Sequence, residues 1–286
     1  MKTKIAIIGY GHIGRAVEEA AAASADMEIA GVFHHNDNLD GLSADVAALC
    51  VPSREVPAFA EKLLALGIST VDSFDIHTQV CALRSRLMPT AQNHKAVSVI
   101  SAGWDPGTDS MMRAIMLAMA PNGLTYTNFG PGRSMGHTVV VKSIKGVKDA
   151  LSMTIPLGTG IHRRMVYVEL DGSVDFATVE KAVLEDDYFR HDETHVIQVP
   201  SVRALDNVGH GVNMTRSGVS GCTHNQRMEF NMAIDNPALT GQVLVSTARA
   251  AARLQREGRF GAYTMIEIPP IYLLDGNTDD LVKALV

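Results

Sequence analysis

A chain of 286 residues has room for one large core or two ordinary ones. With 46% hydrophobic and 20% charged residues it reads as a folded globular protein, and no apolar run approaches the roughly 18 residues of a membrane span. A net charge of −6 without a basic stripe argues against nucleic acid as a partner, while Cys50, Cys81 and Cys222, odd in number and in no C-x-x-C pair, argue against disulfide frameworks and zinc clusters.

The cysteines read instead as small apolar core or near-core residues. Met1-Lys2-Thr3-Lys4 passes straight into a strand without an apolar leader, so a cytoplasmic location is expected. Ile5 to Gly9 is that strand, β-branched and buried. Gly9, Gly11 and Gly14 then fall in G-x-G-x-x-G spacing before an alanine-rich helix from about Ile13 to Ser24. In such a turn the first glycine permits the bend, the second lets backbone approach a pyrophosphate, and the third lets helix and strand pack closely. Phosphates meet the unpaired N–H groups of the helix start, so Gly9, Gly11, His12, Ile13, Gly14 and Arg15 are candidate cofactor residues.

Met27 to Phe33 is the second strand, and its tip meets the adenosine ribose in dinucleotide folds. The tip reads His34-His35-Asn36, with no carboxylate until Asp37. A 2′-phosphate is not repelled there, and His34, His35 and Arg15 offer donors, which favours NADP and leaves NAD open; two ordinary surface histidines are the alternative. A short polar connection leads to the strand Val46–Val51, a helix over 56–66 and the strand Ile68–Val71. Asp75 and His77 follow that strand's carboxyl end, where ligands bind in open α/β sheets. A helix over 80–94 and a strand over 96–100 lead into a turn-rich loop, 101–109, that carries the single tryptophan, Trp104.

From Met111 the character changes. A methionine-rich helix precedes a second glycine-rich stretch, 125–137, that lacks dinucleotide spacing. Alternating segments at 150–156, 164–170, 194–199, 212–214 and 227–234 predict a mixed or antiparallel sheet, with a helix over 176–184. A long helix over 239–256 and a strand over 263–268 close the chain. The pattern predicts α/β architecture: a Rossmann-type dinucleotide-binding domain from 1–104 and 240–286, and an α+β domain with a mixed sheet from 105–239. No H-E-x-x-H, G-x-S-x-G or P-loop pattern appears. Asp75, Asp105, Thr154, Arg164, His210 and Asn236 are candidate polar groups, although each also has an ordinary reading: Asp105 as a turn cap, His210 in a loop, Arg164 paired with Glu169 or another acid.

Five motifs in order, Asp75-Ile-His77, Ser101-Ala-Gly-Trp-Asp-Pro-Gly107, Phe129-Gly-Pro-Gly132 with Met135-Gly-His137, Gly209-His-Gly211 and Asn236-Pro237, give a chain that resembles the meso-diaminopimelate dehydrogenase family nearly end to end. It is closest to the branch with an Asn-Phe-Gly-Pro-Gly segment, here Asn128 to Gly132. The resemblance implies reversible, NADP-dependent oxidative deamination of meso-2,6-diaminopimelate at its D-centre. It implies that Asp75 and Asp105 are the catalytic carboxylates that hold the amino group. Trp104, Phe129, Met135 and Gly136 would shape the pocket, while Thr154, Arg164, His210 and Asn236 would anchor the distal end. It also implies a homodimer formed through the second domain. Family members usually carry arginines where this chain has His34-His35-Asn36, and a longer connection from Asn36 to Val46. Two other readings compete: a dihydrodipicolinate reductase-like oxidoreductase, which would not predict paired aspartates, and a non-catalytic NAD(P)-sensing regulator, which predicts an interaction segment that is not visible.

Overall fold

The computed structural model describes residues 2–34, 36–205 and 210–286, which form two compact units, Met1–Ala114 with Asn236–Val286 and Ile115–Asp235. In chain order the first unit contributes β1 (Thr3–Ile8), α1 (His12–Ala23), β2 (Met27–Phe33), β3 (Val46–Leu49), α2 (Val56–Ala65), β4 (Ser69–Asp72), α3 (Val80–Asn93), β5 (Val97–Ile100) and the start of α4 (Thr108–Met119). The second holds β6 (Asn122–Phe129), β7 (Gly132–Arg133), α5 (Met135–Lys142), β8 (Val147–Gly158), β9 (Ile161–Leu170), α6 (Phe176–Glu185), β10 (Glu193–Gln198), β11 (His210–Ser220) and β12 (His224–Ile234). The chain then returns to the first unit with α7 (Asn236–Arg256), β13 (Gly261–Thr264), α8 (Pro270–Leu273) and α9 (Thr278–Leu285).

In the first unit six parallel strands take the order β13-β5-β4-β3-β1-β2. Strands covered on both faces must be apolar on both, which is why β1 and β3 read as unbroken hydrophobic runs. Ile5, Ile7, Val46 and Ala48 face a core shared with α1 and α7, while Ala6, Ile8, Ala47 and Leu49 face one shared with α2 and α3. Arg249, 5% exposed, spans from α7 to the Asp26 carboxylate and the Leu273 carbonyl, and holds the Asp26 carboxyl below its ordinary range. In the second unit β10-β9-β8-β7 form a mixed sheet and β12-β11-β6 an antiparallel one. Val141, Val179 and Val183, from α5 and α6, pack with Ala150, Val166 and Val168.

The Rossmann-type sheet and the mixed sheet agree with the expectation. Several local readings differ. The compact units divide at 114/115 and 235/236, because Met111 of α4 packs on the first unit's core and α7 already begins at Asn236. The glycine-rich stretch 125–137 contains strand residues and the start of α5, and the expected strand over 212–214 is part of the much longer β11. β13 stops at Thr264 because the Glu267 carboxylate caps its N–H at 2.9 Å and turns the chain. Of the cysteines only Cys50 packs inward, and burial pushes its thiol up to about 12; Cys81 and Cys222 lie on the surface, so the core reading fails for them.

The closest helix contact predicts a stability effect. A Cβ on Gly241 of α7 would stand 2.6 Å from the Ala16 carbonyl carbon of α1. Alanine improves helix propensity by about 1 kcal/mol, but overpacking against backbone costs about 1–3 kcal/mol. Gly241→Ala is therefore expected to lower stability by about 1 kcal/mol in urea unfolding, where propensity alone predicts a gain.

Candidate active site

Gly9 follows β1 with φ +93°, and its N–H donates to the Phe33 carbonyl at 2.7 Å. A Cβ there would lie 2.5 Å from the Cys50 carbonyl oxygen, and one on Gly14 would strike the Gly9 carbonyl, so both positions require glycine for reasons internal to the chain. Gly11 differs: no atom comes within 4 Å of its would-be Cβ. No side chain caps α1, and its first turn holds no acid. An uncapped helix start facing open ground fits an anionic dinucleotide. His12 is exposed and Ile13 packs on the core. The Arg15 guanidinium lies 5.6 Å from the Tyr10 ring centre, Tyr10 donates to Glu18, and His34 meets the Tyr10 ring edge-on at 6.3 Å. Asp37 folds back so that its carboxylate accepts the His34 N–H at 2.7 Å, which corrects the reading of a strand tip without a carboxylate. Asn36 is exposed in a turn; His35 and Gly209 lie outside the described residues.

The loops after β4 and β5 carry the first unit's carboxylates. Asp75 is exposed and accepts the Ser53 hydroxyl at 2.6 Å. Asp105, its side chain 15% exposed, is pushed up to about 8, by burial first, then by repulsion from and a hydrogen bond with Asp109. Arg113, 3.8 Å away, opposes the shift, and Asp75 adds to it. Asp109 is fully buried and pairs with Arg113. At neutral pH Asp105 thus keeps its proton beside Asp109. Trp104 is buried and donates its indole N–H to Asn236 Oδ1 at 2.9 Å; the same oxygen accepts from Thr240 at 3.0 Å. Those bonds occupy the amide oxygen of Asn236 and fix which way its amide faces.

In the second unit Thr154 and Arg164 are register partners on β8 and β9. Arg164 donates from Nη1 to the Thr154 hydroxyl and from Nε to Asp192 Oδ2 at 2.7 Å, so the guanidinium is held in one orientation. Three histidines carry its influence. Burial, with Arg164 second, pushes both His137 and His210 down to about 4 and also lowers His162. His162 Nε2 accepts the Phe129 N–H at 2.8 Å, which requires a neutral ring. His137 donates from Nε2 to the Tyr188 carbonyl at 3.1 Å and accepts the Ser134 hydroxyl at Nδ1, 2.8 Å away. Its ring packs edge-on against Tyr188 and Phe189. Phe129 stacks at a tilt on His162, and Met135 and Gly136 are exposed at the start of α5. Arg164 is thereby a fixed cation among neutral imidazoles, an arrangement suited to a carboxylate.

The sequence candidates thus fall into two sets. The phosphate turn, Asp75, Trp104, Asp105 and Asn236 belong to the first unit, and Phe129, Met135, Gly136, Thr154, Arg164 and His210 to the second. Ser53, Asp109, Arg113, Ser134, His137, His162 and Asp192 were not anticipated as site residues. Asp109 and Arg113 carried a readable signal, an acid and a base four apart on one helix; the Asp192–Arg164 pair had none. Among the described residues no cluster of His, Cys, Asp or Glu could hold a metal, and no helix is long and apolar enough to cross a membrane.

Comparison with known proteins gives concordant matches. The family described as diaminopimelic acid dehydrogenase C-terminal domain matches residues 103–162. A meso-diaminopimelate D-dehydrogenase of Bacteroides fragilis is 56% identical, covering 100% of this chain and 99% of that one. The solved structure of C. glutamicum DAP dehydrogenase in complex with DAP is 29% identical, with a TM-score of 0.89, covering 100% of this chain and 99% of that one. An engineered D-amino acid dehydrogenase bound to NADP⁺ is 28% identical, with a TM-score of 0.84 over 100% of both chains.

The electrostatics predict a titration pattern. In an NMR histidine titration, His137 and His210 should stay neutral down to about pH 5, well below the ordinary imidazole value of about 6.5. Both folded values are depressed, so their contribution to stability is present above about pH 6.5 and is lost as pH falls towards 4. His137→Asn and His210→Asn assign the two signals.

Proposed function

The chain belongs to the meso-diaminopimelate D-dehydrogenase family, and we propose that Asp75 and Asp105 recognise the amino group to be removed from that family's substrate and that Arg164 recognises its distal carboxylate. It catalyses the reversible, NADP-dependent oxidative deamination of meso-2,6-diaminopimelate at the D-centre, yielding L-2-amino-6-oxopimelate and ammonia. The observation that carries this reading is a contrast in chemistry: paired carboxyl groups at Asp75 and Asp105, and an oriented guanidinium at Arg164.

Asp75 and Asp105 bind the amino group to be removed, because an amine calls for oxygen acceptors and for a group that can exchange a proton with it. Arg164, fixed by Thr154 and Asp192, receives the distal carboxylate, with His210 and the Asn236 NH₂ as neutral donors. Trp104, Phe129, Met135 and Gly136 are assigned to contacts with the substrate's carbon chain. Contacts at both ends select the D-centre, since an apolar pocket alone discriminates weakly.

The residues of the first turn fit a dinucleotide, with Gly11 leaving space for the pyrophosphate and the α1 start donating to it. Arg15 and His34 supply donors for a 2′-phosphate. NADP, when bound there, accepts the hydride from the D-carbon. A hydride leaves carbon readily only beside a neutral amine, so a base must hold the amine's proton. Asp105 fills that role: its high pKa makes it a competent proton acceptor once ionised, and burial, with Asp109 second, sets that value. Water then adds to the imine and ammonia leaves. A cytoplasmic homodimer, joined through the second unit, completes the reading.

Purified protein with NADP should reduce the cofactor with meso-diaminopimelate and not with the LL isomer; no activity with the meso isomer overturns the function. Arg164→Ala should raise the substrate KM by about 100-fold while NADPH affinity, read by fluorescence titration, stays within about 2-fold. For oxidation, kcat/KM should rise with pH through about 8 as Asp105 ionises. Asp109→Asn removes a like charge, so Asp105 ionises more easily and that limb should move to lower pH.

A further inference from the structure

Asp72 ends β4 at the centre of the parallel sheet and is fully buried, and neither the phosphate turn nor the substrate contacts use it. One of its oxygens, Oδ1, accepts two backbone N–H groups: that of Phe74 at 3.0 Å and that of Ser101 at 3.1 Å. Its own backbone carbonyl accepts the Ala102 N–H at 2.6 Å. The two loops held in this way are the ones that carry the paired aspartates. Phe74, a buried anchor, immediately precedes Asp75; Ser101 and Ala102 open the loop that reaches Trp104 and Asp105. Ser101 also sits at φ +56°, a left-handed conformation that a non-glycine residue keeps only where its surroundings hold it.

The arrangement is costly for the fold alone. Asp72 Oδ2 is buried without a hydrogen-bond partner, and so is the Ser101 hydroxyl in the same network. Unsatisfied buried polar atoms concentrate where function retains them. Burial raises the Asp72 carboxyl to about 6, so near neutrality it bears charge and binds both N–H groups in charge-assisted form.

We propose that Asp72 is a positioning residue that fixes the spacing of Asp75 and Asp105 by clamping the starts of both loops. It touches no substrate and acts through those two carboxylates, so the inference rests on their assignment to the amino group. Asp72→Asn keeps an oxygen able to accept both N–H groups, whereas Asp72→Ala removes it.

The test compares these variants in the intact protein. Asp72→Asn should retain kcat/KM for meso-diaminopimelate within about 3-fold, and Asp72→Ala should lose about 100-fold, the scale expected when reacting groups shift by about an ångström. NADPH affinity should stay within about 2-fold in both. In an Asp105→Ala background the further loss from Asp72→Ala should shrink markedly, because only the part that acts through Asp75 remains. Amide exchange at Phe74 and Ser101, whose N–H groups the carboxylate accepts, should accelerate in Asp72→Ala and not in Asp72→Asn. Unchanged exchange overturns the proposal whatever the substrate proves to be. So does an Asp72→Ala enzyme with full activity, a loss equal in both backgrounds, or a loss confined to NADPH binding. If Asp105→Ala itself retains full activity, the amine assignment fails, and exchange still decides whether Asp72 is the clamp. Should Asp72→Ala not fold, Asp72→Ser serves, since its shorter side chain keeps an oxygen but cannot bridge to Ser101.

Discussion

A parallel sheet delivers every strand's carboxyl end to the same edge, and the loops gathered there must find partners for backbone groups that the sheet no longer pairs. In the first unit they find them in one another. The turn after β1 is held by the Phe33 carbonyl at the end of β2 and pressed against Cys50 after β3. Ser53, also after β3, binds Asp75 after β4, and Asp72 joins β4 to Ser101 after β5. Phosphate turn and carboxylate loops thus form one bonded series along the edge, and the chemistry inherits its geometry from strand order.

The adenosine end shows how that series meets local sequence. The phosphate turn has its glycines where backbone contacts demand them, so its form is independent of which dinucleotide binds. The strand tip is freer, and polar neighbours settle it: Asp37 turns back on the His34 N–H, while Tyr10 gathers Arg15, Glu18 and His34 around one ring. Recognition of a 2′-phosphate here would come from dispersed donors rather than from a row of arginines.

What the sequence disclosed follows from which interactions have a local signature. Strands β1 to β5 were legible because two-sided burial forces unbroken apolar runs, and Gly9, Gly11 and Gly14 because their spacing is steric. Asp75 and Asp105 were legible as polar residues just past strand ends. β11 was seen only in part, because its two ends are rich in polar and small residues and its extent is set by pairing with β6 and β12. Asp192 and Asp72 stayed hidden for a related reason: their partners, Arg164 and Ser101, lie 28 and 29 residues away and meet them only through the fold. Cys81 misled because a small apolar side chain does not tell which face of α3 it occupies.

Burial acts in opposite directions in the two units. In the first it lifts Asp72 and Asp105, and Asp105 holds its proton near neutrality. In the second it depresses His137 and His210, leaving the Arg164–Asp192 ion pair beside neutral rings. A substrate with ammonium and carboxylate groups at both ends presents nearly the same chemistry twice. Because desolvation disfavours whichever form is charged, carboxylates and imidazoles exposed to the same degree of burial become unlike partners, and two similar ends of one molecule acquire different preferred sites.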